Sequence, residues 1–229
     1  MWEKRSSAKE LIDLGPEYYT PKEYQHCLKK LFLINKLLGF FANTKKTLKK
    51  ISKTATILDV GCGSGLFLLH LSRHFPEMKF IGIDISSSAI QQAQQNLIDW
   101  KFLKTPSILF KEVTAAWEMP PNSVDVLVAN LLCHHLTNEE LIHFFRQSLF
   151  CTKEMVIIHD LHRHPLSYRL YKWISPFFRN RLITHDGLIS IQRGFKKKEL
   201  IFLLNKAGIK NYDLSWHFPF CWRIVLWKK

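Results

Sequence analysis

A run of glycines at the mouth of an apolar strand constrains this chain more than any other feature. Residues 56–60 read as a buried strand that passes straight into Asp59-Val60-Gly61-Cys62-Gly63-Ser64-Gly65, after which an apolar helical pattern begins. Glycines there adopt backbone angles that a Cβ forbids, and they let main-chain N–H groups approach a small molecule closely. A second apolar strand, Lys79 to Ile83, ends at Asp84. That acid lies roughly 20 positions beyond the last glycine, where a nucleoside ribose needs its hydroxyls held.

The spacing decides which nucleoside. Dinucleotide binders use G-x-G-x-x-G, with the helix N-terminus facing a pyrophosphate. This loop reads G-x-G-x-G and carries Asp59 two residues ahead of its first glycine, a poor neighbour for phosphate and a good one for a cation. S-adenosylmethionine has a sulfonium, an ammonium and no phosphate. The stretch resembles the first motif of the class I S-adenosylmethionine-dependent methyltransferases, an acid followed by x-G-x-G-x-G, which Asp59 through Gly65 match in full. The resemblance implies that Asp59, Gly61, Cys62, Gly63, Gly65, Asp84 and Ile85 hold this cofactor, with Ser64 opening a helix toward its carboxylate. A dehydrogenase, or a glycine turn that binds nothing, are the competing explanations.

At 229 residues the chain suits one domain, and 47% hydrophobic content argues against disorder. No apolar run is long enough to span a membrane, and the charged start Met1-Trp2-Glu3-Lys4-Arg5 is unlike a signal peptide, so a cytoplasmic protein is expected. Five scattered cysteines without C-x-x-C spacing indicate neither a zinc site nor disulfides. The net charge of +14 invites nucleic acid, but the lysines fall in short clusters along the chain, as on a solvated surface. An anionic membrane surface or an acidic carrier protein are the partners such a face would attract. The chain is expected as a monomer or homodimer.

Residues 21–48 read as one helix with Tyr24, Leu28, Leu31, Phe32, Asn35 and Leu38 on a single stripe. Strands at 56–60, 79–83, 107–111, 124–130 and 154–160 alternate with helices at 64–75, 86–98 and 138–150. Such alternation implies a parallel sheet with its ligand beyond the carboxyl ends of the strands, where Asp59, Asp84, Asn130 and Asp160 fall. A helix at 196–207 and two strands, 209–216 and 220–227, finish the chain. The expected fold is therefore α/β and Rossmann-like, a mostly parallel seven-stranded sheet with an antiparallel C-terminal hairpin. Helical lids are expected over residues 1–50 and 161–195; helix core is the plainer explanation for the latter's Tyr168, Tyr171, Trp173, Phe177 and Phe178.

After the third strand the family usually presents an acid to adenine, and here Val113 and Thr114 stand at that place, a departure that leaves main-chain contacts or the Thr114 hydroxyl. Asn130 followed by Leu131-Leu132-Cys133-His134-His135-Leu136 resembles the fourth motif of small-molecule methyltransferases. Either His134 or His135 would accept a proton from a substrate hydroxyl, unless backbone satisfies it at a helix start. The fifth strand delivers His159-Asp160-Leu161-His162-Arg163-His164. Alternate residues on an extended segment face alike, so His162 and His164 could reach one ion only with distant help and no metal is expected; instead Asp160 or His162 borders the substrate, with His162 a further catalytic candidate. Together with His185-Asp186-Gly187 and Arg193-Gly194-Phe195, this region resembles a bacterial small-molecule subgroup, which implies methylation of a phenolic, quinone-like or polyketide-like metabolite and makes His185 and Arg193 pocket groups. The charge permits an RNA methyltransferase, although the fourth strand lacks the N-P-P-Y/F tetrapeptide of amino-methylating enzymes. A non-catalytic cofactor-binding scaffold is the remaining alternative.

Overall fold

The computed structural model describes residues 2–100, 106–114 and 119–228. At its centre is β1 (Thr56–Val60), whose residues from Ile57 onward are all buried because both faces of the strand are covered. On one side of it lie β2 (Lys79–Asp84) and β3 (Ser107–Glu112); on the other lie β4 (Val124–Asn130) and β5 (Thr152–Leu161). These five strands run parallel, so Val60, Asp84, Asn130 and Asp160 arrive at one edge. The sheet closes with β7 (Cys221–Trp227) antiparallel to β5 and β6 (Tyr212–His217) outside it, giving the seven-stranded order β3-β2-β1-β4-β5-β7-β6. The expected fold class is observed.

Alternation along the strands builds two cores. Leu58, Val60, Leu127 and Ala129 pack toward α6 (Asn138–Cys151) and α9 (Lys197–Lys206), while Ile57, Val126 and Val128 pack toward α4 (Leu66–His74) and α5 (Ser87–Asp99). Local sequence sets the helix starts. Thr137 accepts from the Glu140 amide at 3.3 Å while Glu140 accepts from the Thr137 amide at 2.7 Å, a reciprocal cap for α6. Ser86 caps α5 by accepting from the Ala89 amide at 3.2 Å. Asp125 ties the entry of β1 to β4, its carboxylate accepting from the Thr56 amide at 2.7 Å and from Lys153 Nζ at 2.9 Å.

Two expectations change. The helix foreseen over 21–48 is two, α2 (Pro21–Leu37) and α3 (Phe40–Leu48), because Gly39 takes φ of +78° and turns the chain. The helix foreseen from Ser64 begins at Leu66 instead, because Gly65 stands outside it at φ +70°. A Cβ on Gly65 would lie 2.4 Å from the Phe110 ring, so this glycine lets the turn press onto β3.

The remaining helices, α1 (Leu11–Leu14), α7 (Pro165–Ile174) and α8 (Arg181–Arg193), stand with α2 over the carboxyl edge of the sheet. Arg163, 1% exposed, fastens the N-terminal segment beneath them by donating to Trp2 O, Glu3 O and Gly194 O at 3.3, 3.2 and 2.6 Å. Among the described residues no helix is long and apolar enough to cross a membrane. Gly65→Ala combines a left-handed backbone with a ring clash. Denaturant unfolding is expected to show a loss of about 2–4 kcal/mol, and an unchanged midpoint would contradict this packing.

Candidate active site

The carboxyl edge of the sheet opens into a cavity of about 1770 Å³. Its floor is the glycine turn. Gly61 N and Cys62 N both donate to Ile83 O, at 2.8 and 3.0 Å, and Gly63 N donates to Asp84 Oδ2 at 2.8 Å. These amides are therefore engaged inside the protein. The turn serves by close approach rather than by aiming its N–H groups at a ligand, because folding it against β2 uses them. Asp84 also accepts from Ser86 N at 3.0 Å through its other oxygen. Each oxygen keeps a lone pair for a hydroxyl above it. Asp59 lies beneath, 2% exposed, with no hydrogen-bond partner among the described residues. Burial raises both carboxyls above the usual range, and the charge of Asp84 pushes Asp59 further.

At the far end of the cavity the chain leaves β4 through Leu131, a leucine at φ +53°, and enters a short turn at Cys133–His135. That strained residue is held by its amide donating to His159 O at 2.9 Å. The turn carries His134 back under β5, where Asp160 accepts from its amide at 3.1 Å and from its Nδ1 at 2.8 Å. The other nitrogen, Nε2, lies 3.5 Å from Glu10 Oε1. His135 repeats the pattern, with Nδ1 on Asp13 Oδ1 at 2.8 Å and Nε2 3.9 Å from Glu10 Oε2. Burial alone lowers the His134 pKa, but Asp160 and Glu10 outweigh it and hold the ring up to about 10. Burial likewise raises Asp160 and Glu10, but His134 beside both brings each below the usual carboxylate range.

Arginines build this corner. Arg193 donates to His134 O, His135 O and Ala8 O, and to Asp13 Oδ2 at 3.0 Å. Arg5 donates to Leu136 O, His134 O, Arg193 O and Asn138 Oδ1. Between them they clamp the N-terminal segment onto the histidine turn, and Ser190 fixes Glu10 by donating to Oε1 at 2.8 Å.

Of the residues singled out from sequence, Gly61, Cys62, Gly63, Asp84, Ile85 and Val113 wall the cavity. So do Asn130, His134, His135 and Arg193, as does the whole stripe from Tyr24 to Leu38. Asn130 Oδ1 is bonded to His159 Nδ1 at 2.9 Å, and burial, with Arg223 nearby, drives that histidine down to about 3 so that it stays neutral. Asp160 stands behind His134 rather than at the wall, and Asp59, Gly65 and Thr114 also lie off it. His162 sits apart, its Nδ1 accepting from Trp216 Nε1 at 3.1 Å amid the rings of His164 and Trp222. His185 turns its Nδ1 to Asp186 Oδ1 at 2.7 Å, also away from the wall. Among the lid aromatics, Tyr171 and Phe178 reach the cavity while Trp173 and Phe177 point to solvent. Glu10, Asp13, Arg5 and Ser190 carry no spacing signal, because their partners lie more than a hundred residues away; the one local hint is Glu10 preceding Asp13 around a short apolar pair.

Residues 57–154 match the family model described as a methyltransferase domain. Over 97% of its length the chain superposes on the human N-acetylserotonin methyltransferase in complex with SAM (TM-score 0.67, 18% identity, 60% of that chain), and it shares the Rossmann-like fold of that enzyme. It is 37% identical over 76 residues to a trans-aconitate 2-methyltransferase of Afipia carboxidovorans, covering 33% of this chain and 27% of that one. It is also 28% identical over 203 residues to the ribosomal RNA large subunit methyltransferase G of Shewanella woodyi, covering 78% and 47%. The chain thus spans a quarter to a half of the length of these curated relatives.

The superposed human enzyme holds S-adenosylmethionine, and the cavity floor of this chain suits such a molecule on its own terms. Asp59 is a buried carboxylate without a hydrogen-bond partner among the described residues, close to the half-buried Asp84, and a cationic ligand relieves both. That relief requires the two groups ionised. Since their pKa values are raised, S-adenosylmethionine affinity is expected to fall as pH drops through a range above that of an ordinary aspartate, by up to about tenfold per pH unit for one proton taken up. Burial makes the same two charges unfavourable to the ligand-free fold at high pH, so ligand-induced stabilisation should grow as pH rises. Calorimetry at pH 5 to 8 checks both, and a flat affinity profile would contradict the assignment.

Proposed function

We propose that this chain transfers a methyl group from S-adenosylmethionine to a hydroxyl, or an activated carbon, of a small and largely apolar metabolite. The observation that carries this reading is one continuous cavity running from the glycine turn to the polar corner of Glu10, His134 and His135. Its volume exceeds the roughly 300–1,000 Å³ of a single small-ligand pocket, which gives room for cofactor and acceptor side by side. Apolar side chains cover it, among them Leu28, Leu31 and Phe32 of α2, Leu170 and Ile174 of α7, and Phe178.

In this reading Asp84 takes the ribose hydroxyls and Ile85 and Val113 flank the adenine. Gly61, Cys62 and Gly63 let the cofactor lie against the turn, with Asp59 charged beneath it. Asn130 borders the reacting end, positioned by His159. When bound, the cofactor supplies a methyl on a positively charged sulfur, which departs as a neutral thioether once an oxygen lone pair takes the carbon. The chain's own share is to align the acceptor at about 3–3.5 Å, exclude water and receive the hydroxyl proton. The polar corner at the acceptor end is the place for that proton. α1, α2 and the 161–195 segment act as the cover, and residues 1–229 as one domain.

A second reading, methylation of RNA, draws on the net charge of +14 and on the ribosomal RNA relative. An anionic membrane or an acidic carrier would use the same lysines to deliver an apolar acceptor. One experiment separates these. Incubation with methyl-labelled cofactor and a panel of phenols, quinones and polyketides, with RNA in parallel, is expected to label a small molecule. Asp84→Ala is expected to weaken cofactor binding by about 1–3 kcal/mol. Label in RNA alone, or wild-type cofactor affinity in the variant, would overturn the respective assignments.

A further inference from the structure

We infer that Glu10, His134 and His135 form a binding site for one divalent first-row transition metal ion at the acceptor end of the cavity. The three side chains offer two imidazole nitrogens and a carboxylate whose ligating atoms all lie within 4.8 Å of one another. Both histidines are oriented from behind. Asp160 holds His134 Nδ1 and Asp13 holds His135 Nδ1, each at 2.8 Å, so both rings turn Nε2 toward Glu10, where an ion would displace any proton that Nε2 carries. Carboxylates backing histidines in this way fix the tautomer and raise the basicity of metal-ligating imidazoles. The carboxylate is backed too, because Ser190 donates to Glu10 Oε1.

The separations on the open side decide what belongs between these groups. Nε2 of His134 is 3.5 Å from Glu10 Oε1 and Nε2 of His135 is 3.9 Å from Glu10 Oε2. Those distances are long for an N–H···O bond, which falls at about 2.7–3.2 Å. An ion about 2.1 Å from each ligand sets neighbouring ligands about 3.0–3.4 Å apart, so a shift of a few tenths of an ångström closes the site around it. Charge agrees. With both imidazoles neutral, as ligation requires, Glu10, Asp13, Asp160 and Asp186 supply four carboxylates around the corner and Arg5 and Arg193 return two positive charges, a deficit that a divalent ion balances. Two imidazoles and one carboxylate suit zinc, cobalt, iron or manganese better than calcium or magnesium.

Three protein ligands leave positions open toward the cavity, which all three residues line. An acceptor oxygen there would have its proton made more acidic by the ion, and the carboxylates of the polar corner would receive that proton as the oxygen attacks the methyl carbon. That role rests on the methyl-transfer reading; the binding of the ion does not.

The test uses the full chain, stripped with a chelator and titrated with Co²⁺, whose visible spectrum reports ligation, and with Zn²⁺ in competition. One equivalent of Co²⁺ is expected to bind with a structured visible band and to be displaced by Zn²⁺. Affinity is expected to fall at least about 100-fold in Glu10→Gln and in His135→Ala, to fall about 10–100-fold in Asp160→Asn, and to stay unchanged in His164→Ala. His135 is part-exposed, so its variant reports on the site even if substitution of buried Glu10 disturbs folding. No stoichiometric binding, or binding that survives Glu10→Gln and His135→Ala together, overturns the site. Cofactor binding is measured in the same samples. Ion binding without cofactor binding supports the ion site and sinks the methyl-transfer reading; cofactor binding without a stoichiometric ion does the reverse.

Discussion

A buried carboxylate, Asp59, and a half-buried one near it, Asp84, at the end of a parallel sheet govern the rest of this structure. Among the described residues Asp59 has no hydrogen-bond partner and Asp84 has two backbone donors, yet burial raises the pKa of both. Such an arrangement opposes folding unless a ligand repays it, and the fold concentrates everything around that place. The glycine turn presses onto Phe110, β2 delivers Asp84 at the edge, and α2 roofs the space with its apolar stripe. A pyrophosphate would add negative charge to the same place, whereas a sulfonium or ammonium removes the penalty.

The opposite end of the cavity follows a different economy, in which charge is compensated within the protein. Arg5, Arg163 and Arg193 are sunk into main-chain carbonyls of segments that meet only in the folded state. Their planar, five-donor heads can satisfy several carbonyls at once, as a lysine cannot. They tie residues 2–14 to the histidine turn and to α8, so the N-terminal segment forms part of the wall rather than a loose cover. Site and stability are coupled there: what fastens the N-terminus also sets where Glu10 faces His134 and His135.

The sheet was legible in the sequence because its strands are buried on both faces and read as short apolar runs ending in polar residues; β4 falls where the pattern places it, at Val124–Asn130. The glycine turn was legible because its residue types and spacing are dictated by sterics. Helix boundaries were less so: Gly39 inside an apparently continuous stripe, and Gly65 outside its helix, act through positive φ that composition does not announce. The acceptor end was legible only in halves. His134 and Asp160 stood out as strand-end groups, but their pairing depends on Leu131 taking a left-handed conformation. Glu10 and Asp13 gave only the local hint of a helix start, since their partners at the site lie more than a hundred residues away. Arg193 was visible as a polar group near the pocket, but its engagement by the carbonyls of His134 and His135 emerges only when α8 packs beside that turn.

The central claim is that the paired carboxylates beneath the glycine turn select a cationic nucleoside. Calorimetric titration of the chain with S-adenosylmethionine, repeated in the presence of excess NAD, tests it most directly. The account predicts one S-adenosylmethionine per chain and an isotherm unaffected by NAD. An empty site, or NAD binding in preference, would contradict it.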